Sequence, residues 1–381
     1  MREWMTAWVH KLRRSVSRSE WAVRLLALTR SPKTQTEPGL IVLQIDGLSR
    51  HQMEHAMQSG RLPFLKRLLD EEEYQLLSLY AGLPSSTPAV QGEIFYGVRC
   101  GVPAFGFRDH ETGKAASMFS PQDAKRVEQR LASAGEGLFQ EGGAYADIYT
   151  GGAKIASFCT TSLGLGSSFR EANVLALLIT LLLHSFMLLR SAALIGIEVG
   201  LALIDFFRGL LEEKNLLAEL KFIPSRVGIS ILLRELATMG IMIDAARGLP
   251  IIHCTFLGYD EQSHRRGPSS KFAHWTLKGI DGCIKRIWRS AKRSACRDYE
   301  LWIYSDHGQE ATTPYEKHSG KKLDAAIMEV LKAQIAGHDE MLHTQSDTSQ
   351  LDRANLLGGE RLQRLLSHVK SWSPTNHIEI T

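Results

Sequence analysis

The sequence predicts an α/β protein with a central, mostly parallel sheet, helices on both faces and a hydrophobic helical insert. Three observations carry that prediction. Short apolar runs at residues 40–45, 250–257 and 301–304 have the length and composition of buried strands. Stretches with leucine at helical spacing lie between them, and strands alternating with helices favour parallel pairing. Each run stops at a carboxylate, Asp46, Asp260 or Asp306, and ligands of open α/β sheets gather at the carboxyl ends of strands.

With 381 residues the chain can bury the core of one large domain or two. Its 44% apolar and 23% charged residues describe a folded protein. A net charge of +4 makes no case for a nucleic-acid partner. The basic residues do cluster, at 11–14 and 285–297, as solvated faces or as contacts to anionic lipid or another polyanion. Cys100, Cys159, Cys254, Cys283 and Cys296 are scattered without a CxxC pair, which speaks against a disulfide framework or structural zinc site and for a reducing compartment.

In chain order, residues 1–38 form a basic amphipathic segment and linker. Arg and Lys recur through residues 1–30, so the uninterrupted apolar core of a signal peptide is missing. Trp4, Trp8, Leu12, Trp21, Leu25, Leu26 and Leu28 fall at roughly helical spacing, as in a helix on a membrane surface or one packed on the protein itself.

Residues 39–169 open a catalytic α/β domain. The first strand ends in Asp46-Gly47, and a helix begins at residue 60 with Pro63 in its first turn. Residues 76–80 read as a further strand. Next, Thr87 at the N-cap and Pro88 at the first helical position would start a helix running to Tyr96. Thr87 there either only caps or, beside a metal, becomes an alkoxide nucleophile. The glycine- and aromatic-rich loop at 97–113, followed by Gly135, Gly137, Gly142, Gly143, Gly151 and Gly152, makes this a loop-rich region able to shape a pocket.

Residues 170–249 form the insert. Its stretch 172–207 is long and apolar enough for a transmembrane or re-entrant segment, a long buried helix, or an interfacial helix. Residues 250–381 read as the second part of that domain, expected to be incomplete at its C-terminus. Asp260 and His264 are four apart, so one helical turn places them on one face. Asp306-His307-Gly308 closes the last strand with two metal-competent side chains before a sharp turn.

Oxygen and imidazole donors without thiolate suit catalytic zinc or manganese, and two such cations can activate a nucleophile and hold a phosphoryl group. Taken together, Ile45-Asp46-Gly47, Thr87 ten positions before Gly97, Tyr259-Asp260-x-x-x-His264-x-x-Gly267-Pro268 and Ser305-Asp306-His307-Gly308 resemble the type I phosphodiesterase/nucleotide pyrophosphatase family of the alkaline phosphatase superfamily. The likeness spans about residues 38 to 320 and looks most like a bacterial, often membrane-associated branch.

The resemblance implies an alkaline-phosphatase-like sheet and a phosphoester hydrolase using two divalent ions, Zn2+ or else Mn2+. Asp46, Thr87, Asp306 and His307 would hold one ion, and Asp260 and His264 would help hold the other. Thr87 would form the phospho-enzyme, with Ser86 as the alternative one position away. Phosphodiesters or pyrophosphates, nucleotide or lipid-linked, are the expected substrates, and the location is cytoplasmic or at the bacterial inner membrane. The superfamily's further histidine for the second ion usually stands in a distant His-Gly element. In this chain His318 is the resident candidate, and a chain truncated at its C-terminus is expected. A head-group transferase using Thr87, and a catalytically impaired membrane-associated binding module, are the alternatives.

Overall fold

The strand β1 (Gly39–Ile45) lies between two others, β6 (Ile251–Phe256) and β7 (Tyr299–Tyr304), and pairs in parallel with both. In this computed structural model, which describes residues 17–31, 37–162, 228–313 and 315–334 and the isolated Leu189, Ala192, Ala193 and Gly196, those strands belong to one sheet. Two short strands, β4 (Gly143–Tyr145) and β5 (Ile155–Ser157), extend it beyond β6 to give the order β5-β4-β6-β1-β7, parallel throughout. A small antiparallel hairpin, β2 (Gly106–Arg108) with β3 (Ala115–Ser117), stands apart. The expected α/β architecture with a mostly parallel sheet is present.

Strand side chains alternate between faces, and here the two faces differ in chemistry. Ile41, Leu43 and Ile45 of β1 join Ile252, Cys254 and Phe256 of β6 and Leu301 of β7 on one face. Helices α2 (Arg50–Gln58), α3 (Pro63–Glu71), α6 (Arg234–Arg247) and α8 (Lys271–Ala291) pack against it, the last presenting Leu277, Ile280, Ile284 and Ile287 at helical spacing. The opposite face carries Gln44, His253, Thr255 and Tyr304 beneath α4 (Thr87–Tyr96). A second apolar cluster, in which Phe95 meets Val127 and Leu131 of α5 (Pro121–Ala134), closes over α4. Helices therefore flank the sheet on both sides.

The short α1 (Arg18–Leu25) lays Ala22 and Val23 on Met239, Ile243 and Ala246 of α6 while Trp21 stays exposed. This part of the basic N-terminal segment is thus a helix packed on the protein. Residues 1–16, the apolar stretch 172–207 (isolated residues aside) and the chain after 334 lie outside the described residues, and among the described ones no helix is long and apolar enough to cross a membrane.

Three sequence expectations need correction. Residues 76–80 form no strand: Leu77, Leu79 and Tyr80 are 79%, 58% and 83% exposed, so their apolar run meets no surface to pair with or bury against. The loop-rich stretch contains β2 to β5, each only three residues long and too short to show a period of two. Finally, β7 is less buried than its composition suggests. It is the last strand of the sheet among the described residues, and only Leu301 is buried while Trp302 is 61% exposed.

Helix α3 begins without help from its own N-cap, Leu62. The cap comes from α8 instead: buried Asp281 accepts the Phe64 N–H at 3.1 and 3.0 Å and the Leu65 N–H at 2.9 Å. This carboxylate satisfies free donors of the first turn and sits at the positive end of the helix dipole. Asp281→Ala should therefore cost about 1–3 kcal/mol, the combined loss of a helix cap and of partners for buried N–H groups. Urea unfolding measures the change; a midpoint unaltered from wild type would show that the cap contributes nothing.

Candidate metal centre

All three sequence-identified carboxylates meet at the carboxyl edge of the sheet. Asp46 directly follows β1, Asp306 lies just past β7, and Asp260 sits in the first turn of α7 (Gly258–Arg266), which β6 feeds through Leu257. Parallel strands in register end at similar heights, so three distant sequence positions converge without special loops. Asp260 gains from the positive end of α7, and all three carboxylates are buried.

One potential ligand atom each from Asp46, Asp260 and His307 lie within 4.8 Å of one another. His307 Nε2 is 3.3 Å from Asp46 Oδ1 and 3.6 Å from Asp306 Oδ2. Thr87, the first residue of α4 and 2% exposed, donates from Oγ1 to Asp46 Oδ1 at 3.2 Å and lies 3.4 Å from His307 Nε2. His264 follows Asp260 by one turn of α7 and approaches its Oδ2 at 3.3 Å. Gln309 donates its amide to Asp260 Oδ1, and the Gly47 N–H reaches Asp306 Oδ1 at 3.4 Å. Six of the seven sequence-identified ligand positions are thereby in one neighbourhood. The seventh, His318, is exposed on α9 (Tyr315–Ser319) and outside the converging group.

The helix start is shifted by one position from the sequence expectation. Ser86 is the N-cap, though its hydroxyl makes no capping bond, and Thr87 is the first helical residue. The hydroxyl aimed at the acidic cluster is that of Thr87, whereas Ser86 Oγ is buried without a hydrogen-bond partner.

The electrostatics follow from crowding acids away from water. Burial first, then the charges of Asp306 and Asp260, push Asp46 up to about 8. Burial likewise raises Asp306. Burial alone would lower His307, but its hydrogen bond to Asp46 and the charges of Asp306, Asp46 and Asp260 raise it to about 10. The hydrogen bond to Asp260 raises His264.

These residues fit a divalent cation. The donor set is carboxylate oxygen and imidazole nitrogen, the mix suited to zinc or manganese. Asp306 Oδ2 is buried and accepts no hydrogen bond, so a lone pair faces the cluster unused. Gly47 adds a packing constraint. It adopts φ +72°, and a Cβ there would stand 2.6 Å from Asp260 Oδ1, so only glycine both makes the turn and leaves the carboxylate in place.

One residue that shapes the site carried no motif. Gln309 could have been suspected only from following Asp-His-Gly. The fold and site together define a parallel α/β protein with an acid- and histidine-lined metal-competent centre at the carboxyl edge of its sheet. No family model, no curated protein and no solved structure matches the chain.

Calorimetric titration with Zn2+ should show binding that Asp46→Asn and Asp260→Asn each weaken at least tenfold, roughly 1.4 kcal/mol or more. At a hundred times its dissociation constant the ion should add about 2.7 kcal/mol to wild-type stability. Unchanged affinity in both variants would exclude this cluster as the binding site.

Proposed function

We propose that this protein is a metal-dependent hydrolase of phosphate esters in which Thr87 is the nucleophile. The observation that carries the reading is the placement of the Thr87 hydroxyl. It is buried at the start of α4, donating to Asp46 Oδ1 at 3.2 Å beside ligand atoms of Asp46, Asp260 and His307 that could hold an ion. A threonine that merely capped its helix would turn its oxygen back toward its own backbone N–H groups.

Asp46, Asp306, His307 and Thr87 would hold one ion, and Asp260 and His264 would contribute to the other; His318, exposed on α9, is not placed to join them. Zinc fits this donor set and manganese is the second choice. When bound, the ions supply positive charge for the non-bridging oxygens of the phosphoryl group and lower the cost of an anionic nucleophile.

The chain's own groups do the rest. Asp46 Oδ1 accepts the hydrogen bond from Thr87 and orients its oxygen lone pairs toward incoming phosphorus. The Thr87 proton then passes along that hydrogen bond to Asp46 Oδ1 while the Thr87 oxygen forms the new P–O bond and the ester oxygen departs with its electron pair. The positive end of α4 favours the anionic phosphoryl group that Thr87 now carries. Water attack on that phosphothreonine returns the hydroxyl and releases phosphate or a phosphomonoester. Burial of Thr87 and of the three carboxylates keeps bulk water from screening these interactions. Diesters or pyrophosphates are the substrates that the resemblance implies.

The test uses bis-p-nitrophenyl phosphate with zinc. Wild-type protein should turn it over, and Thr87→Ala should lose at least about 1000-fold in kcat with an unchanged circular dichroism spectrum and zinc stoichiometry. Wild-type activity in Thr87→Ala would remove Thr87 as nucleophile, and Ser86→Ala would be measured next. No turnover by metal-loaded wild type at any pH would sink the hydrolase reading.

A further inference from the structure

The polar face of the sheet contains a buried hydrogen-bonded cluster. Gln44 of β1 lies beside Thr255 of β6 and Tyr304 of β7 in the parallel register. Thr255 Oγ1 donates to Asp147 Oδ1 at 2.6 Å, and the Tyr304 hydroxyl lies 3.0 Å from Gln44 Oε1. His253 bridges the two ends: its Nδ1 is 3.0 Å from both Asp147 oxygens and its Nε2 is 3.0 Å from the Tyr304 hydroxyl. Phe95 and Phe139 seal its ring.

One side chain from α4 enters this cluster. Gln91 Nε2 donates to Gln44 Oε1 and to Thr255 Oγ1, each at 3.1 Å, and its Oε1 accepts the Ile148 N–H at 2.9 Å. Gln91 is fully buried and follows Thr87 by four residues, so the two share a face of the helix.

Their partners are matched in the same way. Gln91 binds Gln44 of β1 and Thr87 binds Asp46, two positions further along the chain and just past the end of that strand. Four helical residues rise about 6 Å and two strand residues about 6.6 Å, so α4 runs antiparallel to β1 with its contacts in step. A helix held at one end by a single long hydrogen bond could turn or slide, and Gln91 blocks both motions one turn further in.

We propose that Gln91, seated in the Asp147–His253–Thr255 cluster, is a positioning residue that sets the height and rotation of α4 and so aims the Thr87 hydroxyl. This rests on the reading of Thr87 as the nucleophile, and Gln91 acts only through the helix. Methionine matches its length but can neither donate to Gln44 and Thr255 nor accept from Ile148.

The Gln91→Met variant should bind zinc with wild-type stoichiometry and keep KM for bis-p-nitrophenyl phosphate within about threefold. Its kcat should fall about 100-fold, the penalty for misplacing a reacting atom by about 1 Å. A kcat within threefold of wild type would overturn the inference. A second readout needs neither metal nor turnover. In the zinc-free Thr87→Cys protein, alkylation of residue 87 by iodoacetamide, followed by peptide mass spectrometry, should accelerate about tenfold or more when Gln91→Met is added. Equal rates would overturn the proposal whatever the activity. Wild-type kcat in Thr87→Ala would instead strike the nucleophile assignment and leave the alkylation result to decide whether Gln91 holds the helix. Should Gln91→Met not fold, Thr255→Val, which removes one of its acceptors with little change of shape, must move both readouts in the same direction; wild-type values in that variant would overturn the proposal.

Discussion

Mutual repulsion among Asp46, Asp260 and Asp306 is the constraint around which the rest of the structure is arranged. Ligand atoms of Asp46 and Asp260 lie within 4.8 Å of each other, and two unit charges at that separation repel by about 3–4 kcal/mol at an effective dielectric constant of 20, a sizeable part of the roughly 5–15 kcal/mol that holds an ordinary domain together. No loop left free to move would keep these groups so close. Each is instead pinned near the end of a parallel strand whose position is fixed by neighbours on both sides or by helix packing. His307, His264, Gln309, the Gly47 N–H and the Thr87 hydroxyl are spread over the acids as donors. Such an arrangement is costly when empty of positive charge and favourable when charge arrives, which is what a metal site requires.

The sheet separates stability from site-building by the alternation of its side chains. Odd-numbered positions of β1, with Ile252, Cys254 and Phe256 of β6, feed the apolar cluster shared with α6 and α8, where volume and shape dominate. Even-numbered positions of β1, with His253, Thr255 and Tyr304, make directional contacts that specify where α4 must lie. Directional bonds contribute modest net stability but define one arrangement closely, and an unmet partner inside the protein is expensive. The helix that carries Thr87 is therefore seated on directional polar contacts with the sheet.

The sequence exposed most of the centre because its candidate ligands occur where apolar strands break off. Asp46, Asp260 and Asp306-His307 each interrupt a run of buried-strand character, and a charge in that position needs a reason. The i,i+4 spacing of Asp260 and His264 gave their shared face directly, and it holds at 3.3 Å. What the sequence concealed has equally physical causes. Three-residue strands such as β4 and β5 are too short for any periodicity and exist because β6 offers an edge to β4, and β4 in turn to β5. Gln91 and Asp147 look like ordinary polar residues until the fold brings positions as far apart as 44, 91, 147 and 255 together. Residues 76–80 show the opposite error: apolar composition alone does not make a strand when no neighbour accepts it.

The strand order also fixes when the centre can come into being. β1 is made early, yet both of its neighbours, β6 and β7, follow it by roughly two hundred residues or more. At about 5–20 residues per second, a ribosome needs roughly 10–40 s to deliver β6 after β1. Through that interval β1 has neither flanking strand, and its apolar face must be shielded by transient contacts or by chaperones. Asp46 meanwhile remains hydrated and far from the other acids. The charges confront one another only after Asp306 has emerged, so the energetically hardest part of the molecule is assembled last, onto a core whose hydrophobic contacts are ready to close at the same moment.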